Sequence, residues 1–508
     1  MNKFYAASFL LAVTLGAGAQ PATNTAAGPD QARPVSLKDC IQLAVAHNFD
    51  VQIQRYNPVI ELNALHADYG SYDPSLTISG KESHNNVGQW TQVANTNGTI
   101  SYVEVPQISD VDSFNSGVGG STPWGMQYNL SGNVAQSEFN SPGNPTSENA
   151  SGQVGASLTQ PLLKNFWIDT SRMTIQVAKN RLQYSEQNLR LQLITTVAAV
   201  QIAYDELIYA QENVKVQQEA LTLAQTQLDQ DRQRVAVGSL APLDVQQDEA
   251  QAASSQASLI AARAALAVDQ NTLKNLLTDD FVHSYKTDLQ PTETLAAVLQ
   301  LFDLQDCWGK GMTKRPDLLQ ARLNVAQQGI TLKFDRNQLY PELDLQGTYG
   351  YNGSGHVYSG AVDQYAEADH PYYSYGASIS IPLDNTRARN TLKADKATLE
   401  QELLTLKQLE QTVMVGIENA VQQVASDYEG VQASKQARIY AAAALDAEQK
   451  KYAVGKSTTF TVLQLQNTLT TDRGAEIRSI ANYNEDLARL AQQEGATLDE
   501  LNISLEMK

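Results

Sequence analysis

The sequence has few of the residues from which disulfide scaffolds, metal sites and active sites are built. Its 508 residues include only 2 cysteines, 6 histidines and 6 methionines. Two cysteines are too few for a disulfide framework, and the histidines are scattered without the spacing of metal ligands. The sequence also has no nucleophile–base pair and no phosphate-binding loop. We therefore predict neither an enzyme nor a bound metal or cofactor.

Basic residues and long apolar runs are also scarce. Lysine and arginine number 36 against 55 aspartates and glutamates, which gives a formal net charge of −19. Such acidity argues against nucleic acid as a partner and favours a soluble surface or an acidic, water-filled interior. No stretch after residue 19 approaches the ~18 consecutive apolar residues of a membrane-spanning helix. We therefore expect no such helix in the mature chain.

The first residues predict secretion. Residues 1–19 combine Lys3, the apolar run Phe9–Leu15 and the small residues Ala17–Ala19, which is the pattern of a signal peptide with its cleavage site. Residues 20–34 are rich in proline, alanine and glycine, and we predict that they form a disordered leader.

The longest regular pattern lies between Ser171 and Ala236, a stretch without proline or glycine. Apolar residues recur there every seven positions in two stripes, as in the a/d seam of a coiled-coil helix. At 1.5 Å per residue, these 66 residues form a rod of about 99 Å. The stripes are Leu193, Val200, Leu207, Val214, Leu221, Leu228 and Val235, and Leu182, Leu189, Thr196, Ala203, Ala210, Gln217 and Ala224.

The chain contains a tandem duplication. The segment Ser36–Cys40, which begins like a capping box, recurs 267 residues later as Asp303–Cys307, and the offset holds as far as Gly80 and Gly347. We assign the first repeat to residues 35–285, the second to 286–496 and a C-terminal tail to 497–508. Each repeat is predicted to run helix, strand, loop, strand, long helix, glycine turn and returning helix. Besides the rod, the predicted helices are Phe49–Tyr69 (which Pro58 kinks or starts), Leu240–Leu277, Pro316–Leu339, Thr386–Tyr452 and Thr458–Glu494.

A β-hairpin is clearest in the second repeat, over residues 341–382. Apolar and tyrosine residues alternate there with small polar ones in two segments of about ten residues, as in transmembrane β-strands with an aromatic girdle. A soluble, half-buried hairpin gives the same alternation. The first repeat has a weaker hairpin with an insertion within residues 81–150, where Trp124–Leu130 also alternate. This insertion either adds strands to a barrel wall or forms a hairpin in the external loop.

Four clear strands cannot close a barrel, and lipid does not tolerate open strand edges. Closure therefore requires oligomerisation, and three chains would supply twelve strands around a water-filled lumen. We predict a mainly α-helical protein with a membrane β-barrel part. It is a trimeric 12-stranded barrel, with four strands from each chain, that continues into a long α-helical coiled-coil barrel.

The chain resembles the TolC-type outer-membrane efflux proteins from about Val35 to Glu494. The resemblance rests on the duplicated layout, Asp50, the segments Arg315–Asp317 and Thr159–Leu162, and the Val-Gly turns. It implies a homotrimer in the Gram-negative outer membrane that extends into the periplasm. It also implies the exit duct of a tripartite efflux or type I secretion system, with a periplasmic adaptor (membrane fusion protein) and an inner-membrane pump of the RND or ABC type.

Two other functions are compatible with long helices. A structural coiled-coil or adhesin-like envelope protein would have the rods without transport, but the alternating strands count against it. A periplasmic adaptor also has helical hairpins, but no lipoyl-like domain interrupts the rods here. The substrate cannot be read from the sequence, and the six unclustered methionines give no support for metal export.

The Val-Gly turns are predicted to form the tips of the helical hairpins, at the end of the rods away from the strands. Each glycine supplies the turn between two helices, and the resemblance implies that the exposed tips also contact the adaptor. The residues concerned are Val237, Gly238, Ser239 and Leu240 in the first repeat, and Val454, Gly455, Lys456 and Ser457 in the second.

Asp244 is the candidate residue for a periplasmic gate. In a trimer it would recur three times at the narrow end of the tube, where neighbouring carboxylates repel one another and attract cations. Asp248 is a second candidate, whereas the matching positions of the second repeat, Thr461 and Gln464, carry no acid. The alternative role for Asp244 is that of a first-turn acid that stabilises the helix dipole.

Cys40 and Cys307 occupy equivalent positions in the two repeats. An oxidising periplasm could pair them if the two repeats brought them into contact. Two buried thiols that act as small hydrophobic side chains are the favoured interpretation.

Overall fold

The computed structural model describes residues 33–140 and 146–501. The predicted signal peptide and most of the predicted leader lie outside these residues. The leader's last two residues belong to a short strand, Arg33–Val35, and are therefore not disordered. The C-terminal tail likewise begins with a helical turn, Thr497–Glu500, whose Thr497 and Leu498 are buried.

The helices of the described residues follow the predicted order of elements. They are α1 (Leu37–His47), α2 (Phe49–Tyr69), α3 (Thr170–Ala236), α4 (Pro242–Leu277), α5 (Phe281–Ser284), α6 (Leu304–Lys314), α7 (Pro316–Asn337), α8 (Tyr358–Ala366), α9 (Thr386–Ala453), α10 (Thr459–Glu494) and α11 (Thr497–Glu500). The strands are β1 (Arg33–Val35), β2 (Ser75–Ala94), β3 (Ile100–Ser121), β4 (Gln127–Asn140), β5 (Ser147–Pro161), β6 (Leu289–Pro291), β7 (Glu342–Gly355) and β8 (Pro371–Ser380).

The two long rods are confirmed. Helices α3 and α9 contain 67 and 68 residues, and each returning helix, α4 and α10, contains 36. The shorter α2 packs along α3, and α7 packs against both α3 and α9, so they cover the parts of the rods that the returning helices leave free. Pro58 lies inside α2 and does not start it, because the helix already begins at Phe49, capped by Asn48.

The duplication is also visible in individual hydrogen bonds. The capping box of α1 forms as predicted, with the Ser36 side chain accepting from the Asp39 amide and the Asp39 side chain accepting from the Ser36 amide. In the first repeat the Arg55 guanidinium donates to the Val45 carbonyl at 2.9 Å, and in the second Arg322 donates to Met312 at 3.0 Å. Both pairs are related by the 267-residue offset. The two repeats therefore tie their first two helices together in the same way.

The sheet overturns the prediction of four strands per chain. Six strands form one antiparallel sheet in the order β2-β3-β4-β5-β7-β8. The insertion within residues 81–150 extends β2 and supplies β3 and β4, so it lies in the sheet. Its strands are rich in serine, asparagine and glycine, which are poor strand formers, so the apolar alternation at Trp124–Leu130 indicated only the start of β4. The loop after β7 contains α8, which the sequence analysis did not anticipate.

Two hydrophobic clusters lie at mid-length of the helical part, one in each repeat. The first joins α1, α3 and α4 around residues such as Leu193, Leu207 and Leu273, and Tyr204 of α3 donates a hydrogen bond to the Val35 carbonyl of β1 at 3.1 Å. The second joins α6, α9 and α10 around Ile417. One 18-residue window of α3 is apolar enough for a membrane span, but 61% of that window is buried among the protein's own helices.

Candidate functional site at the helix tips

Both helical hairpins turn through a glycine with left-handed backbone. The φ angles are +73° at Gly238 and +72° at Gly455, a region that side chains with a Cβ rarely occupy. The amide of the following residue donates back to the last helical turn in each case, from Ser239 to Arg234 and from Lys456 to Lys451, both at 2.9 Å. This is the hydrogen-bond pattern of a Schellman cap. The two tips are therefore built in the same way.

The tips expose apolar side chains. Val237 is 79% exposed and Val454 is 68% exposed, and Leu243 and Phe460, at the starts of the returning helices, are each 63% exposed. Exposed apolar side chains that recur at both tips favour a protein contact there. Of the other predicted contact residues, Gly238, Ser239, Gly455 and Lys456 are exposed, and Leu240 and Ser457 are half-buried.

The predicted gate residues separate into different environments. Asp244 is half-buried in the first turn of α4, and its amide bonds to the Ala241 carbonyl at 3.1 Å. This position fits the role of a helix-dipole acid. In α10, Thr461 is half-buried and its hydroxyl lies 3.0 Å from that of Thr458, whereas Gln464 is exposed.

Asp248 is fully buried, one turn below Asp244. Within the described residues neither of its carboxylate oxygens has a hydrogen-bond partner. Its neighbour is the carboxylate of Asp231 in α3, which is also fully buried. Burial first, and then the neighbouring carboxylates of Asp231 and Asp244, together raise the pKa of Asp248 to about 7. Asp248 is therefore partly protonated at neutral pH.

Asp231 is the centre of a buried hydrogen-bond network that joins the two helical hairpins. One of its oxygens accepts from Gln227 and from the Tyr452 hydroxyl of α9, both at 2.8 Å. The Tyr452 hydroxyl also lies 2.9 Å from that of Thr459 in α10. The Arg234 guanidinium lies 4.5 Å above the Tyr452 ring, in cation–π range. Helices α3, α9 and α10 are thus held together just beneath the tips.

Asp231 and Tyr452 were not among the predicted site residues, although the sequence holds a signal for Asp231. The second apolar stripe of the rod ends at Ala224, and the next position in the seven-residue spacing is Asp231. A charged residue at a seam position costs stability unless it has a partner. Tyr452 carries no comparable signal, because tyrosine is an ordinary residue at a half-buried helical position.

A polar contact bridges the returning helices farther from the tips. Gln251 of α4 and Asn467 of α10 exchange two amide hydrogen bonds of 2.7 and 3.0 Å. They line an open cleft of about 770 Å³ whose wall also includes Gln247, Phe460 and Gln464. The predicted gate residue Gln464 of α10 thus lines the same cleft as residues of α4.

Cys40 and Cys307 do not form a disulfide. Both thiols are free and buried, and they belong to the separate core clusters of the first and second repeats. Burial is the first cause that raises the pKa of each thiol to about 12. The two cysteines therefore act as small hydrophobic side chains.

Comparison with known proteins gives a consistent result. The family model described as "Outer membrane efflux protein" matches residues 125–278 and 312–496. The chain is 24% identical over 328 residues to the outer membrane efflux protein BepC of Brucella suis biovar 1 (strain 1330), covering 64% of this chain and 68% of BepC. It is 27% identical over 258 residues to the outer membrane protein TolC of Escherichia coli (strain K12), covering 48% and 50%.

The fold resembles that of solved outer-membrane proteins. The crystal structure of VceC from Vibrio cholerae matches with a TM-score of 0.65 at 16% identity, over 90% of this chain and 96% of that one. At this level of identity the match concerns the fold alone.

Proposed function

The chain belongs to the outer membrane efflux protein family, and on this premise we propose that three copies form the exit duct of a tripartite efflux or type I secretion system. Membership makes the protein an efflux channel of the Gram-negative outer membrane. It also displaces the structural-rod and periplasmic-adaptor alternatives. The trimer, the adaptor and the pump are part of the proposal.

One observation carries the proposal, namely the placement of a two-faced sheet at one end of two long rods. One face of the sheet carries apolar residues such as Leu130, Tyr349 and Tyr373, and the other carries serine, threonine, asparagine and glycine. This is the pattern of a membrane β-barrel with a polar lumen. The 67-residue rod adds about 100 Å beyond the sheet, which is enough to reach far into the periplasm.

Exposed apolar surface on α2 supports assembly with further copies. Phe49, Ile53, Tyr56 and Ile60 are 57%, 64%, 68% and 59% exposed, and their spacing places them on one side of the helix. A stripe of large apolar residues is costly in water. Neighbouring chains in a trimer would cover it.

The tips supply the gate in this proposal. The hydrogen bond that the Tyr452 hydroxyl donates to Asp231 holds α3 against α9, so the tips can spread only when it breaks. An adaptor that binds the exposed Val237 and Val454 would supply the energy for spreading. Three copies of Asp244 would then face the narrow end of the tube and favour cations.

The gate is tested by planar-bilayer conductance of the full-length protein. Tyr452→Phe removes the hydroxyl that holds Asp231 and should raise the open probability. Asp244→Asn should weaken block by divalent cations, with Asp229→Asn, an exposed acid of α3, as the matched control. Unchanged conductance of Tyr452→Phe, or equal cation block in wild type and Asp244→Asn, would remove the residue concerned from the gate.

The adaptor contact is tested separately. The paired change Val237→Asp and Val454→Asp should abolish efflux and adaptor crosslinking in cells while the trimer still reaches the outer membrane. Val268→Asp, at another exposed valine (62% exposed) on the side of α4, serves as the control. Normal efflux by the double variant would mean that the adaptor binds elsewhere.

A further inference from the structure

The six-stranded sheet has two unpaired edges. Among residues 33–140 and 146–501, strand β2 pairs only with β3, and β8 pairs only with β7. The amides and carbonyls of such edges have no partner in lipid, where each unsatisfied group costs several kcal/mol. Both edges must therefore be closed by another strand when the sheet lies in a membrane.

Near the helices, the strands β2, β3 and β4 have the same two faces as the rest of the sheet; farther out, the apolar face of β2 and β3 gives way to the pairs Glu82–Asp112 and His84–Asp110. Paired residues share a face, and one apolar row crosses all six strands from Leu76 to Tyr373. The next row runs from Thr77 to Tyr372, and the residues between these two are small or polar. In strand order the rows are Leu76, Val118, Leu130, Ala156, Tyr349 and Tyr373, and Thr77, Gly117, Ser131, Gly155, Gly350 and Tyr372. The β2–β3 hairpin thus continues the wall, with its apolar side outward.

The two edges are complementary in direction and length. With six antiparallel strands, β2 and β8 run in opposite directions, so β8 of one copy and β2 of the next form an antiparallel pair. The 10 residues of β8 match the first half of the 20-residue β2. The second half of β2 pairs with β3 beyond the end of β4, whose ladder with β3 stops at Ile108. That half forms a two-stranded ribbon above the wall.

We propose that β8 of each copy pairs with β2 of the next copy, so that three chains close an eighteen-stranded barrel. This inference rests on the proposed trimer and deepens it. Barrel diameter grows roughly linearly with strand number, and barrels of 16–18 strands enclose an aqueous channel. The lumen is therefore about 1.5 times as wide as that of a twelve-stranded barrel.

The register of the closing pair follows from the ends of the two strands. Ser75 begins β2 and Ser380 ends β8, both on the side of the helices. Aligning these ends places Thr77 opposite Ser378, with both side chains on the polar face. Within one chain, the row that begins at Thr77 ends on β8 at Tyr372, which is six residues from Ser378. The strand register therefore shifts by six residues over the six strands of each chain. One residue per strand corresponds to a tilt of about 35°, within the range of membrane barrels.

Disulfide crosslinking of the full-length protein tests this pairing. Cysteines replace Thr77 and Ser378 in a background that carries Cys40→Ala and Cys307→Ala, and the protein is oxidised in outer membranes. The two positions lie on opposite edges of one sheet, so a bond between them joins two chains. We expect a covalent trimer on a non-reducing gel. The pair Thr77→Cys and Ser380→Cys tests a register that is shifted by two residues. The pair Leu76→Cys and Ser378→Cys lies on opposite faces of the sheet and should stay monomeric.

The competing arrangement leaves the β2–β3 hairpin outside the wall and closes the barrel on β4. Ser131→Cys with Ser378→Cys reports it, because Ser131 occupies the same polar row as Thr77. Crosslinking of this pair, or of neither pair in a protein that is trimeric by native mass, would overturn the eighteen-stranded barrel alone. A monomeric mass of the unmodified protein in detergent would overturn the proposed function as well.

Discussion

The two repeats share a backbone plan but differ in the chemistry of both ends. At the membrane end the first repeat contributes four strands to the sheet and the second contributes two. At the tip end, equivalent residues of the two repeats are 217 positions apart. Val237 therefore matches Val454, and Asp231 matches Glu448. The Val-Gly turns have therefore been kept since duplication, whereas the residues that meet other groups have diverged.

The tips show what this divergence means for charge. Asp231 and Glu448 each have a basic residue three positions later, Arg234 at 3.6 Å and Lys451 at 2.8 Å. Glu448 also accepts a hydrogen bond from Ser457, and these contacts with Lys451 and Ser457 lower its pKa. Asp231 instead lies buried beside Asp248, and at the 217-residue offset the match of Asp248 in the second repeat is Leu465, not the predicted Gln464. An additional buried acid thus distinguishes the first tip.

The largest expected effect tests whether both repeats have an equally formed core. Leu207 in α3 and Ile417 in α9 are both fully buried. Replacing either with alanine should cost about 2–5 kcal/mol, because each change removes apolar contacts and leaves a cavity. Thermal unfolding of the detergent-solubilised protein measures the loss. A tolerated Ile417→Ala beside a damaging Leu207→Ala would show that α9 is the less firmly packed rod.

The second prediction removes the difference between the tips. Asp248→Leu gives the first repeat the residue of the second and should stabilise the tip by about 1–4 kcal/mol at pH 8, as replacements of buried charges by apolar residues often do. The wild-type carboxyl, with a folded pKa of about 7 against the ordinary 3.8, stays protonated where the unfolded state ionises. Its tip should therefore be most stable below about pH 4 and lose stability between pH 4 and 7.

The second tip should respond to pH with the opposite sign. The lowered pKa of Glu448 means that its stabilisation is present above the ordinary value of 4.5 and is lost on acidification. Hydrogen exchange of the first turns of α4 and α10 from about pH 3 to about pH 8 measures both tips at once. Asp248→Leu should flatten the profile of α4 alone, and parallel profiles in the wild type would contradict the assignment.

The third prediction concerns the contact between the hairpins. Tyr452→Phe leaves the buried Asp231 without one of its donors and should cost about 1–3 kcal/mol of tip stability. Tyr440→Phe, at a 70% exposed tyrosine of the same helix, should change stability little. Equal exchange rates at the tips of both variants would mean that the hydroxyl is not needed to hold α3 and α9 together.

The smallest expected effect tests the feature that the tips share. Gly238→Ala and Gly455→Ala should each cost about 1–2 kcal/mol, because alanine is strained at the positive φ of these turns. Gly474→Ala, inside α10 with open space around its Cα, should instead stabilise by about 0.5–1 kcal/mol. Unequal losses at Gly238 and Gly455 in thermal unfolding would show that the two turns are not equivalent.

Local patterns were sufficient for most of the helical architecture. The seven-residue spacing predicted α3 and α9 to within one residue at each end, because coiled-coil packing requires an uninterrupted seam. Proline, glycine and the Ser36 cap marked the helix ends, because their effects act within one turn. The duplication could be recognised in the sequence because equivalent contacts in the two repeats need equivalent residues. These features depend on residues close together in the sequence.

Contacts between distant residues required the tertiary structure. The alternation at Trp124–Leu130 indicated additional strands in the insertion, but not their length or whether they join the wall, because serine, asparagine and glycine enter a strand only when a neighbouring strand supplies hydrogen bonds. Asp231, Asp248 and Tyr452 lie on three different helices, and nothing local indicates that they meet. The sequence by itself determined two rods, their caps and a two-faced hairpin. Only the packing of α3 against α4 and α9, and the pairing of six strands, decided where the buried acid and the barrel edges lie.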